Sequence, residues 1–155
     1  MNFDQAFEKI IGHEGGYVCN PADPGGETKF GISHRAYPLE DIKAMTLDRA
    51  KFLYKRDYWG PAGCDAMPDA IKFDLFDTAV NSGVVAAIRM LQTSVGTTPD
   101  GIIGPVTLQA ANSMPGPRLV ARFNAARLAF MSNLPTWPAF GRGWARRIAD
   151  NLMGA

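Results

Sequence analysis

The sequence predicts a mainly α domain, a helical bundle carrying one small β-hairpin lobe after its first helix. Two observations lead there. Apolar residues recur at three- and four-residue spacing through most of the chain, the period of a helix with one buried face. One stretch breaks that pattern: residues 15–38 hold five glycines and three prolines. The length of 155 residues with 46% apolar and 20% charged residues fits one domain with a real core.

The elements follow in order. Phe3, Phe7, Ile10 and Ile11 share a helical face, with Asn2 as N-cap and Gly15-Gly16 as the stop. In the lobe, Asn20-Pro21, Asp23-Pro24 and Gly25-Gly26 are turn dipeptides between Tyr17-Val18 and Thr28–Ile32, short runs suited to a hairpin. Thr46 caps a second helix whose inward face is Leu47, Ala50, Leu53 and Tyr54. Pro68 opens a third, with Ile71, Leu75, Phe76 and Ala79 inward, ending near Asn81-Ser82-Gly83. Val84 to Val95 continues with Val84, Ala87, Ile88, Leu91 and Val95 in phase. Gly104-Pro105 starts a short helix to about Ala111. Leu119 to Leu134 is longer, with Leu119, Phe123, Ala126 and Phe130 in phase. Pro138 begins the last, where Phe140, Trp144, Ile148 and Leu152 recur every four residues. Met114-Pro115-Gly116-Pro117 is the candidate hinge. No internal repeat or low-complexity segment interrupts the pattern.

Charge narrows the function. The formal net charge is +1, which argues against a nucleic-acid binder. It is uneven, however: residues 1–114 carry 10 basic and 14 acidic residues, and residues 115–155 carry 6 and 1. The basic end is either a solvated Arg-rich helix or a surface for an anionic polymer. No apolar run is long enough for a membrane span, so stable membrane insertion is not expected. The N-terminus, MNFDQAFEK, has no signal-peptide pattern.

Glu14 is the first candidate for chemistry. On the predicted helix it falls at the C-terminal turn, where the macrodipole disfavours an ionised carboxylate. Apolar neighbours desolvate it further, and both effects raise the pKa toward that of a general acid. An ordinary solvated Glu at a helix end is the alternative. Asp23, nine residues on, is either a turn residue bonding its own backbone or the second carboxylate of a glycosidase pair. Thr28, five further, can orient a water.

Glu14-Gly15-Gly16-Tyr17, Pro21, Asp23, Gly25-Gly26, Thr28 and Gly31-Ile32 together resemble the opening motif of glycoside hydrolase family 108. Asp77-Thr78-Ala79-Val80-Asn81-Ser82-Gly83 is similar to that family's helix-end signature. Leu91-Gln92, Val95-Gly96 and Asp100 through Leu108 resemble its peptidoglycan-binding half. The resemblance implies an α+β lysozyme-like fold in one domain, 1–155, with a catalytic half at 1–83 and a binding half at 84–155. It implies an N-acetylmuramidase cutting the β-1,4 bond after N-acetylmuramic acid. Glu14 takes the place of the catalytic acid. Asp23 keeps the gap found in phage-type lysozymes, and Thr28 stands one residue closer than their threonine. Asp77 and Asn81 are expected to line the cleft, with a structural role open for Asp77. Asp100 belongs to a loop read either as a turn into the next helix or as a holder of the stem peptide or glycan.

Tyr17, Tyr58 and Trp59 are candidates for sugar stacking, or for plain packing of a helix end. Trp137 and Trp144 fit the core better. No cofactor is implied. His13-Glu14 lacks the second His of a zinc helix, because residue 17 is Tyr. His13, Cys19, His34 and Cys64 match no compact zinc spacing, and the two cysteines suit a disulfide or two thiols. The expected partner is peptidoglycan, met by a monomer made in the cytoplasm and released to the wall through a holin or a secretion system. The rival readings are a lytic transglycosylase, a non-catalytic wall-binding or secretion-assisting protein and, more distantly, a zinc amidase or peptidase.

Overall fold

The computed structural model describes residues 1–12, 16–19 and 26–154. Their packing forms two units, Asn2–Asp57 and Tyr58 onward with Met1.

In the first unit, α1 spans Phe3–Ile11. Asn2 and Gln5 form a reciprocal capping box, each side chain bonded to the other's backbone N–H at 3.0 Å. The helix stops at Gly12, whose φ of 56° suits glycine, so termination comes before the Gly15-Gly16 pair expected to end it. Phe3, Ala6 and Phe7 are buried. Three short strands follow: β1 Val18–Cys19, β2 Glu27–Lys29 and β3 Ile32–Ser33. They form one antiparallel sheet in the order β1-β2-β3.

The expected strand over Thr28–Ile32 is in fact a hairpin. Phe30 and Gly31 both have positive φ, 50° and 75°, as a two-residue primed turn requires. Gly31 has a second constraint, because a Cβ there would strike the Tyr54 hydroxyl. α2, Leu47–Tyr54, is capped by Thr46, whose Oγ1 accepts from Arg49 N at 3.2 Å. Ala50, Leu53 and Tyr54 are buried, whereas Leu47 is exposed. The helix runs on as a π-helical turn, Lys55–Trp59.

The second unit is built around α3, Asp69–Ser82, which is buried nearly all round. Gly83 closes α3 and opens α4, Val84–Val95. α5 is Pro105–Ser113, with Pro105 at its first turn. α6 is Gly116–Ser132 and α7 is Trp137–Met153. Gly116 and Pro117 therefore form the first turn of α6 instead of a hinge. A Cβ on Gly116 would sit 3.0 Å from that of Ala70, so α6 lies close against α3 here.

The buried stripe of α6 is also rotated from the expected one. It runs Leu119, Phe123, Arg127, Met131, and Phe130 is exposed. Arginine at position 127 hid this stripe from a count of apolar residues. No helix among the described residues is long and apolar enough to cross a membrane.

Candidate active site

The first unit contains a cavity of about 520 Å³ against its sheet. Val18 and Thr28 face each other directly across β1 and β2, so both side chains leave the same side of the pleat. Both line the cavity, together with Ile10 and Ile11 from α1, Gly16, Gly31 and Tyr54. The predicted apolar face of α1 thus divides its work. Phe3 and Phe7 are buried, and Phe7 meets Tyr54 edge-on at 5.3 Å. The half-buried Ile10 and Ile11 form an apolar wall. Two hydroxyls, on Thr28 and Tyr54, stand among these apolar groups. The Tyr54 hydroxyl donates to Phe30 O at 3.3 Å and ties α2 to the hairpin turn.

Glu14 and Asp23 lie outside the described residues. Ile11 and Gly16, on either side of Glu14 in sequence, both line the cavity. Asp23 belongs to the connection between β1 and β2, the strands that carry Val18 and Thr28.

Cys19 and Glu27 form the adjacent cross-strand pair, one residue out of phase with Val18 and Thr28. The Tyr17 hydroxyl donates to Glu27 Oε1 at 2.6 Å. This bond to an anion is the main cause holding the phenol well above its ordinary pKa, with desolvation adding to it. Tyr17 is 37% exposed, so its ring remains open while its hydroxyl is engaged. The sequence placed Tyr54 on the inward face of the second helix but marked neither it nor Glu27 as a site residue. The available signal for Glu27 was its place beside Thr28 in the Gly-Gly-Glu-Thr run.

The other expected site residues belong to the second unit. Trp59 is buried, its Nε1 donates to Asp65 Oδ1 at 2.8 Å, and its ring packs edge-on to Phe76 at 5.3 Å. It therefore has no free face for a sugar, and packing is its role. Tyr58, beside it, is half-buried. Asp100 is exposed but occupied: Oδ1 accepts from Gln92 Nε2 at 2.7 Å and from Ile102 N at 2.9 Å. The Gln92 bond is the larger cause of its lowered pKa. Gln92 also accepts from Gly101 N, so a buried amide fixes the 100–102 loop from inside.

Asp77 is fully buried, and its surroundings are ionic. Arg127 Nη2 stands 2.8 Å from Oδ2, and Arg147 Nη2 stands 2.6 Å from Oδ1. Asn151 Nδ2 bridges Asp77 Oδ2 at 3.2 Å and Asp74 Oδ1 at 3.0 Å. Asn81 Nδ2 donates to Asp77 Oδ1 at 3.1 Å. Burial alone would raise the pKa of Asp77, but the Arg147 hydrogen bonds and the two guanidinium charges outweigh it and hold the carboxyl below its ordinary value. Asp74 goes the other way, raised by burial. Of the two roles considered for Asp77, the structural one fits this setting. Its partners are side chains that join α3 to α6 and α7.

Cys19 is an exposed free thiol and Cys64 a buried one. Burial pushes the Cys64 thiol up to about 12, far from the thiolate that a metal or a nucleophilic reaction needs. Among the described residues, no three His, Cys, Asp or Glu side chains gather into a metal-holding group.

The first helix, the three-stranded lobe and the helical bundle make a mainly α, lysozyme-like fold. The family model for glycosyl hydrolase 108 matches residues 7–83, and the model for a predicted peptidoglycan domain matches residues 86–149. The solved structure of Brucella abortus SagA is similar over 97% of this chain and 91% of that one, with 34% identity and a TM-score of 0.86. No curated protein matches. The chain belongs to glycosyl hydrolase family 108.

Proposed function

We propose that the protein is a peptidoglycan hydrolase of the N-acetylmuramidase type. The observation that carries this reading is the family match over residues 7–83, which spans Glu14, Asp23 and Thr28. The cavity beside Thr28 supports it. Ile10, Ile11 and Val18 offer an apolar surface suited to the apolar face of a sugar ring, and the Thr28 and Tyr54 hydroxyls offer polar contacts.

In this mechanism Glu14 protonates the leaving glycosidic oxygen. Asp23 stabilises the oxocarbenium-like transition state or activates water, and Thr28 places that water. Residues 1–83 carry the hydrolysis, and residues 84–155 hold the glycan strand or its peptides. The match to a predicted peptidoglycan domain supports the second role. The enzyme reaches the wall from the cytoplasm with the help of a holin or a secretion system and works as a monomer.

The test is mass spectrometry of soluble products from purified peptidoglycan, for the wild type and Glu14→Gln side by side. Reducing N-acetylmuramic acid ends, absent with the variant, are expected. Anhydro ends would indicate a lytic transglycosylase. Intact glycan with cleaved peptides, or no products at all, would overturn the assignment.

A further inference from the structure

Arg127 lies in the middle of α6 at 1% exposure. A guanidinium carries five N–H donors. Nη2 is spent on Asp77, whereas Nε and Nη1 have no hydrogen-bond partner among the described residues. Buried donors left unmade are costly, so such a group is one that a ligand can satisfy. A cavity of about 210 Å³ adjoins it, lined by Arg127, Arg147 and Asn81 and walled by Phe130, Leu134 and Trp144. Its lining combines two guanidiniums with aromatic and aliphatic side chains.

We propose that this cavity binds the carboxyl end of a short acylated peptide, the carboxylate meeting the Arg127 and Arg147 guanidiniums that line it and the small apolar side chain lying against Phe130 and Trp144. A monoanion fits better than a phosphate. Asp77 already neutralises one of the two guanidiniums, so a second negative charge on the ligand would face that carboxylate uncompensated. The volume suits one small residue with its acyl group. Peptidoglycan stems end in such carboxyls, and naming them as the source rests on the function proposed above.

The test is an NMR titration of the full chain with N-acetyl-D-alanine, its carboxamide and acetate. None of these probes carries a glycosidic bond, so binding is read without turnover. The expected result is a saturable shift of the Arg127 Nε–H and Trp144 indole signals with the acid. The amide and acetate should bind at least about tenfold more weakly, the first for want of charge and the second for want of the apolar contact. Trp144→Ala should weaken the acid about tenfold at a temperature where the variant is folded, and an acid bound as tightly as by the wild type would overturn the apolar half of the site. An Arg127 signal unmoved by the acid, or an amide that binds equally well, would overturn the site. Acetate binding as tightly as the acid would overturn the peptide end as its ligand. Loss of the muramidase reading would show instead as missing glycan products, with these shifts intact.

Discussion

Arg127 Nη2 and Asp77 Oδ2 lie 2.8 Å apart, and neither residue is more than 1% exposed. This contact joins the middle of α6 to the middle of α3, and Arg147 and Asn151 extend it to α7. Buried ions are expensive to desolvate, and removing one partner strands the other. Asp77→Asn should therefore lower stability by about 3–5 kcal/mol, since it leaves two guanidiniums facing a neutral amide. Urea denaturation checks it. A midpoint equal to that of the wild type would show that the cluster carries no net stabilisation.

The same carboxylate sets an acid limit. Its pKa is lower in the folded chain than in the unfolded one, so the unfolded state binds the proton more readily. The stability it contributes is fully present above the ordinary Asp range and is lost as pH falls through the depressed folded value. Asp74, raised by burial, has the opposite sign: its contribution is present below the ordinary range and lost as pH rises through its folded value. Denaturation midpoints from pH 7 down to pH 2 should thus fall less steeply in Asp77→Asn than in the wild type. Parallel curves would mean that other carboxylates govern acid unfolding.

Gly31 is held by two constraints that mutation can separate. Its φ of 75° disfavours any side chain, and a Cβ would strike the Tyr54 hydroxyl. Gly31→Ala should cost about 1–3 kcal/mol. In a Tyr54→Phe background the contact disappears and only the backbone part of that cost remains. Midpoints for the two single variants and the double variant give the coupling directly. Strict additivity would mean that the hydroxyl simply moves aside.

What could be read from the sequence and what could not divide along physical lines. The caps Asn2 and Thr46, the break at Gly83 and the start at Pro105 act through local hydrogen bonding and backbone angles, so short motifs reveal them. The third strand was hidden because Phe30, a bulky residue with φ of 50°, occupies a turn position that composition assigns to glycine or asparagine. The stripe of α6 was misread because its central member is a charged side chain whose partner lies fifty residues earlier on α3. The two carboxylates of the proposed site were conspicuous through their glycine-rich surroundings and family motif. Tyr54 and Glu27 were not, because a helical tyrosine and a strand glutamate carry no local mark of function.

Trp59 separates packing from recognition. Its indole donates to Asp65 and its ring meets Phe76 inside the second unit. Trp59→Phe removes the hydrogen bond and leaves a gap, at a cost of about 1–3 kcal/mol. The KM for soluble glycan fragments should stay within twofold of the wild type at a temperature where the variant is folded. A large rise in KM with unchanged stability would return this residue to the sugar-binding surface.

Thr28 offers the finest test of the proposed chemistry, because its neighbours fix its direction. It pairs with Val18 on one side and Ser33 on the other, in the central strand of the sheet, and it lines the cavity. Thr28→Val preserves the shape and the β-branch and deletes only the hydroxyl. If that hydroxyl places the attacking water, kcat should fall by roughly tenfold to a hundredfold, the effect of one lost hydrogen bond at the reacting centre, with KM nearly unchanged. Thr28→Ser should recover much of the loss, since it restores the oxygen in a less constrained rotamer. A rise in KM with unchanged kcat would place the hydroxyl in ground-state binding of the sugar. Full activity in Thr28→Val would leave water positioning to some other group in the lobe.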